Sequence, residues 1–208
     1  VTHPAIDGIR ITATTASVCG GHSPFATPHQ LWGEMLGYRK REDASFAMKR
    51  GSALEPKARA EYTKIVGEEY EPLCIESSQT PWIAASLDGV DLLRTRGVEI
   101  KCPISENTHD MAMMGTVPPY YFDQMQWQML SSDNQLTEMD YFSFAPQIGK
   151  AHPITVRADL KRQAELVDDA VVFDRGLQHG AGLQLAHHRA LHLLPRGLGG
   201  GVFVATRG

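Results

Sequence analysis

Apolar positions return in two rhythms along the chain. Before residue 67, again over 118–130 and over 158–173, they recur every three to four residues, as amphipathic helices require. Between 70 and 103, and at 139–145, they alternate or run in short blocks of β-formers bounded by Gly, Pro and polar turns. Residues 1–13 are short and mixed, and the hydroxyls of Thr12–Ser17 suit the N-cap of a short helix entered at Ala16–Cys19. After a turn at Gly20–Phe25, Thr27 as N-cap and Pro28 at the first helical position open a helix that ends at Gly37. A longer helix from Ser45 to Val66 carries Phe46, Ala53, Leu54, Ala58, Tyr62 and Ile65, with Gly67 as its C-cap. Its interior Pro56 predicts a break or fresh start near Glu55. Four strands are predicted at 71–77, 80–86, 89–93 and 97–102. Residues 104–116 are polar and Met-rich, Pro118–Pro119 start a helix that runs to Leu130, and further strands fall at 139–145 and 154–156. Ala158–Phe173 reads as a last amphipathic helix, and beyond Arg175 periodicity is lost. His187 and His188, in that tail, read as surface. Helices before, between and after the strands place the chain in the α/β class.

At 208 residues with 42% hydrophobic content, the chain is sized for one well-buried domain. Charged residues make up 21% and net charge is −4, which argues against a disordered polyelectrolyte and a globally basic nucleic-acid binder. A nucleic-acid site must therefore be a local patch, and Arg39, Lys40, Arg41, Lys49 and Arg50 form one basic cluster suited to a DNA channel. Three cysteines without a CxxC pair do not build a disulfide scaffold. With no apolar run of membrane-spanning length and no basic-then-apolar leader pattern, a cytoplasmic protein with no membrane association is expected. Cys19 and His22 have a zinc-like spacing, but no second pair completes four ligands. Met111, Met113 and Met114 suit either packing against a partner subunit or a loop near DNA.

The chemistry concentrates in SLDGVDLLRTRGVEIKCP, Ser86–Pro103. Period-two alternation puts Glu99 and Lys101 on one face and Val98, Ile100 and Cys102 on the other. If the preceding strand ends at Ser86-Leu87-Asp88 and turns through Gly89-Val90, Asp88 comes close to Glu99 across the sheet. One reading is an exposed Glu99–Lys101 ion pair, which contributes little. The sharper reading is a metal site: two carboxylates and the backbone carbonyl of Ile100 are the hard oxygens that Mg²⁺ takes, with waters completing the shell. A lysine beside them can position or help deprotonate an attacking water and offset phosphate charge.

An Asp followed after a loop by Glu-x-Lys resembles the core of the PD-(D/E)xK nuclease superfamily, with Ser86-Leu87 standing where that pattern has a proline before the aspartate. ArgGlySerAlaLeuGluPro at 50–56, AlaSerLeuAspGly at 85–89, ValGluIleLysCysPro at 98–103 and TyrTyrPheAspGlnMetGln at 120–126 follow the order and spacing of the phage lambda exonuclease and YqaJ-type viral recombinase family. IleThrAlaThr at 11–14 and the segment 23–32 resemble its N-terminal part, so the likeness spans about residues 8–146. The resemblance implies a restriction-endonuclease-like core, a central mixed sheet flanked by helices, within a single nuclease domain over 1–208 whose C-terminal helix and tail begin near 157. It implies a two-metal alkaline exonuclease, dependent on Mg²⁺ with Mn²⁺ as a substitute, that digests one strand of double-stranded DNA from the 5′ end and leaves a 3′ overhang for recombination. A homotrimeric ring around the DNA and a phage-type single-strand annealing protein as partner come with it. Carried over by position, Asp88, Glu99 and the Ile100 carbonyl are the metal ligands and Lys101 the catalytic lysine. Glu55 supports a second metal or its water, and Gln124 orients water or contacts phosphate. Thr14 is either a holder of the 5′ phosphate or a simple N-cap, with Arg10 a second phosphate contact. Trp82 is either core or a wedge into the base pairs. A structure- or sequence-directed endonuclease on the same core, and an inactive DNA-binding recombination module, are the alternatives. The intact Asp88, Glu99 and Lys101 set argues against the inactive module.

Overall fold

The computed structural model describes residues 10–179; the expectations for residues 1–9 and for the tail from 180 on, His187 and His188 included, lie outside the described residues. The chain enters through β1 (Ile11–Thr12) and passes directly into α1 (Ala13–Cys19). Thr12, not Thr14, caps α1: its backbone N–H donates to Thr15 Oγ1 at 2.9 Å. In α2 (Pro28–Met35) the expected cap is realised in full, with Gln30 N–H donating to Thr27 Oγ1 at 3.2 Å and Thr27 N–H donating to Gln30 Oε1 at 2.9 Å.

The helix α3 (Phe46–Val66) runs without a break through Pro56, contrary to the sequence expectation. Pro56 removes one N–H, but Ser52, whose carbonyl that N–H would have met, is exposed, so water can satisfy the freed oxygen. Its apolar face is also narrower than expected. Ala58 and Tyr62 are buried, whereas Phe46 is 78% exposed and Ile65 43% exposed.

The remaining elements are β2 (Glu71–Glu76), β3 (Ile83–Val90), β4 (Arg96–Lys101), α4 (Glu106–Met113), α5 (Pro119–Ser131), β5 (Glu138–Ala145), β6 (Gly149–Lys150), β7 (Ile154–Arg157) and α6 (Leu160–His179). One mixed sheet collects all the strands in the path β1-β3-β4-β5-β6, with β2 also on β3 and β7 on β5. Its pairs β1–β3 and β4–β5 are parallel and the others antiparallel. The third predicted strand, Gly89–Leu93, is a correction: β3 continues through Asp88 and Gly89 to Val90, and the turn comes later. Asp91 builds that turn, accepting the N–H groups of Thr95 at 2.7 Å and Arg96 at 3.1 Å, with Arg94 at φ 57°.

Alternation along β4 and β5 sorts the core onto both faces of the sheet. Val98, Ile100, Phe142 and Phe144 pack under α3 with Tyr62. On the other face Met139 and Tyr141 meet Met125 and Met129 of α5, while Trp82, Ile83 and Ala85 meet Trp127 of α5, α1 and α6. The central strands are thus covered by helices on both sides, which is what places polar side chains of β4 in a dry interior.

Candidate active site

The ladder between β3 and β4 consists of Gly89 opposite Val98 and Val90 opposite Gly97. Beyond it the two strands fork, and side chains take over the pairing. Asp88 Oδ2 accepts the Ile100 N–H at 2.8 Å, replacing a backbone bond with a carboxylate bond. In an extended strand one residue's N–H and C=O point to the same edge, so the Ile100 carbonyl also aims into the fork. This supports its reading as a ligand.

Glu99 is 1% exposed, so the exposed ion pair weighed from sequence is not what the fold makes. Its Oε1 receives Lys101 Nζ and, at 2.7 Å, Gln124 Nε2 from α5. Its Oε2 receives Gln128 Nε2 at 2.6 Å. Lys101 Nζ also sits 4.7 Å from the centre of the Tyr121 ring, a cation–π contact on the same helix. From the other side of the sheet, Glu55 pairs with Arg59 one turn along α3, and Arg59 Nε donates to the Asp88 carbonyl at 2.6 Å. Five of the expected residues, Glu55, Asp88, Glu99, Lys101 and Gln124, therefore join one network.

Two of these groups, Asp88 and Lys101, are perturbed by their surroundings. Burial pushes the Asp88 carboxyl up to about 7, helped by the Glu99 and Glu55 carboxylates, against the pull of Lys101 and of the Ile100 N–H. Burial alone would lower Lys101, but Glu99 and Asp88 outweigh it and hold the ammonium above its ordinary value. Lys101 is thus held as an ammonium against Glu99.

No cluster of three His, Cys, Asp or Glu side chains among the described residues forms a ready-made cage for a metal. The donor set nonetheless fits a hard divalent cation, which is bound through one or two carboxylates and keeps several waters. Burial and the neighbouring carboxylates both raise Asp88, and a cation in the fork would offset both. Each carboxylate oxygen accepts two bonds; Glu99 Oε1 is filled, while Oε2 retains one lone pair.

The other expected residues are scattered. Thr14 is exposed in the first turn of α1. Arg10, with a side chain 67% exposed, pairs with Glu76 at 2.6 Å. Lys49 is exposed on α3, but Arg50 donates to the carbonyls of Cys102 at 3.2 Å and Pro103 at 3.4 Å and to Gln147 Oε1 at 3.2 Å, which makes it a strut between α3 and the end of β4. Trp82 is a correction: it is 5% exposed and packs 6.0 Å from Trp127, so it is core and reaches no base pair. Cys19 is buried, and His22, in the turn after α1, faces Asp169 of α6 at 3.4 Å. Sequence reasoning missed Arg59, Tyr121 and Gln128. Arg59 and Gln128 follow Glu55 and Gln124 by four residues, the spacing that puts helical side chains on one face, and that signal was available.

The sequence profile of the YqaJ-like viral recombinase domain matches residues 7–135, more than half the chain. The chain belongs to that family. Among solved structures, this YqaJ-like chain resembles the alkaline exonuclease LHK-Exo from Laribacter hongkongensis, with 25% identity, a TM-score of 0.67, and coverage of 89% of this chain and 95% of that one. The complex of LHK-Exo with dAMP gives 24% identity and a TM-score of 0.69 over 88% and 94% of the two chains. A phage-related exonuclease from Haemophilus somnus 129PT shares the fold at 15% identity, with a TM-score of 0.59 over 87% and 96%. No curated protein sequence matches the chain. The mixed sheet flanked by helices is thus the restriction-endonuclease-like core expected of the YqaJ-like family. Among the described residues no helix is long and apolar enough to cross a membrane.

Proposed function

We propose that this chain is a Mg²⁺-dependent exonuclease that digests one strand of double-stranded DNA from its 5′ end and leaves a 3′ overhang for annealing-type recombination. The observation that carries the reading is the fork itself: Asp88, Glu99 and Lys101 meet at the point where β3 and β4 part, with Glu55 and Gln124 brought to them by helices from both faces. Asp88, Glu99 Oε2 and the Ile100 carbonyl would hold the cation, with Glu55 at a second position. A divalent cation, Mg²⁺ or Mn²⁺ in its place, would supply Lewis acidity and an activated water. The chain's own groups do the rest: Lys101 draws a phosphate oxygen and a water to the fork, Glu99 and Tyr121 hold the ammonium in place, and Gln124 fixes Glu99. Burial of Glu99 limits water to what the fork admits, which strengthens these interactions.

Thr14 and Arg10, both exposed around the start of α1, are assigned to the 5′ phosphate, with Arg10 leaving Glu76 on binding. Lys49 is assigned to the DNA backbone. A ring of three copies on a DNA end, a single-strand annealing protein as partner and a cytoplasmic setting complete the reading. The test is digestion of a linear duplex labelled separately at each 5′ and 3′ end, with and without Mg²⁺, by the native protein and Lys101→Ala. Release from 5′ ends that needs Mg²⁺ and is lost in the variant, with closed circles intact, is the expected result. Cutting of closed circles would make the chain an endonuclease, and binding without cutting would reduce it to a recombination module.

A further inference from the structure

Gln128 is fully buried on α5, one turn beyond Gln124. Its Nε2 donates both hydrogens, to Glu99 Oε2 at 2.6 Å and to the Ser86 carbonyl of β3 at 3.0 Å. The amide can face only one way, because the flipped orientation would set Oε1 against two acceptors. In the orientation observed, Oε1 is buried with no hydrogen-bond partner. A fold optimised for stability would not leave such an oxygen orphaned beside a carboxylate, and an unsatisfied buried group asks for another reason to be there.

That reason lies in what the amide joins. The β3–β4 ladder stops at Gly89 opposite Val98, and the forked segments are tied by two side-chain bridges: Asp88 to the Ile100 N–H, and Gln128 to both Ser86 and Glu99. We propose that Gln128 is a positioning residue of the metal centre, fixing the separation of the Asp88 and Glu99 carboxylates and leaving Glu99 one lone pair, on Oε2, for a single bond to the cation. The inference rests on the metal-dependent reading above. Gln124 and Lys101 fill Oε1 and so leave Oε2 to the metal, and Gln128 holds that oxygen in place against β3. Loss of an outer hydrogen-bond partner of a metal ligand weakens metal affinity about 10–100-fold.

The test is titration of the metal-free protein with Mn²⁺, followed by electron paramagnetic resonance, on native protein, Gln128→Met and Gln128→Asn. Methionine keeps the length and volume but donates nothing; asparagine keeps the amide but is too short to reach both acceptors, and it serves if the methionine variant does not fold. Gln126→Leu is the control, because Gln126 is equally buried on the same helix but ties the Arg157 carbonyl at 2.9 Å and the Asp159 N–H at 2.7 Å, away from the fork. Weakening of Mn²⁺ binding by about 10–100-fold in a folded Gln128 variant, with native affinity in Gln126→Leu, is expected. Raised Mn²⁺ should also restore much of the variant's cleavage rate. Native affinity in the folded Gln128 variant, or equal weakening in Gln126→Leu, would overturn the assignment while leaving the nuclease reading intact. Failure of the native protein to bind Mn²⁺ at all would overturn both.

Discussion

Replacing Asp88 by Asn should make the metal-free protein more stable at alkaline pH while abolishing cleavage. The Asp88 carboxyl is held at about 7 against an ordinary 3.8, chiefly by burial and then by Glu99. The folded chain therefore holds this proton more tightly than the unfolded chain does. The stability linked to it is fully present below the ordinary value and is lost as pH rises through the interval to about 7, after which no more is lost. At ~1.4 kcal/mol for each tenfold, the displacement sets a ceiling of ~4 kcal/mol, and water admitted at the fork lowers the burial cost to ~2 kcal/mol. Asn removes the charge yet keeps an oxygen to accept the Ile100 N–H, so the fork bridge survives. For a chain of this size ~2 kcal/mol corresponds to a Tm higher by about 4–8 °C. The assay is thermal unfolding in chelator at pH 5 and pH 8 for both proteins. The gap between variant and native should open with pH, and Mg²⁺ at pH 8 should raise the native Tm but not the variant's. A variant that melts at or below native at pH 8, or a gap that ignores pH, would refute the account of Asp88 as a carboxylate short of a counter-ion.

Gly89→Ala should cost about 1–3 kcal/mol by overpacking, read as a lower urea midpoint, because its Cβ would lie 2.8 Å from Val98 Cγ1 and 3.0 Å from Tyr70 Cβ. Arg59→Ala should slow cleavage at saturating Mg²⁺, since it strips donors from Glu55 and the Asp88 carbonyl together; Arg59→Lys should recover only part, for one ammonium does not reproduce the guanidinium fork. Lys49→Glu should lower the salt slope of DNA binding by ~1 or more, whereas Arg50→Ala should lower Tm with little change in slope, given its bonds to the end of β4. Slopes that move the other way round would exchange the two roles.

The gathering of the candidate site was legible in part: Asp88, Glu99 and Lys101 sit in one short strand pattern, whereas Glu55 and Gln124 were marked only by the family resemblance. What the sequence did not show was depth. Periodicity makes Glu99 and Lys101 neighbours equally well on a wet face or a dry one, and only the packing of α5 over β4 decides it. The same limit explains Trp82, whose burial depends on Trp127 far along the chain. The break expected at Pro56 overlooked that an exposed carbonyl has water as a substitute partner. The helix α4 has weak apolar spacing, and it forms where His109 docks on Ser143 at 2.9 Å, a contact between distant segments.

The fork has one more consequence, for the hazard of making such a protein. The side chains it assembles are drawn from Glu55 on α3 to Gln128 on α5, and none of the four elements α3, β3, β4 and α5 supplies the set alone. The acids and the lysine come into register only after a sheet with parallel β4–β5 pairing has closed under helices on both faces. A chain cut short during synthesis, or caught half-folded, carries the chemistry in its sequence but not in its shape. Any cleavage therefore waits until folding is complete, because only the closed sheet brings these groups together.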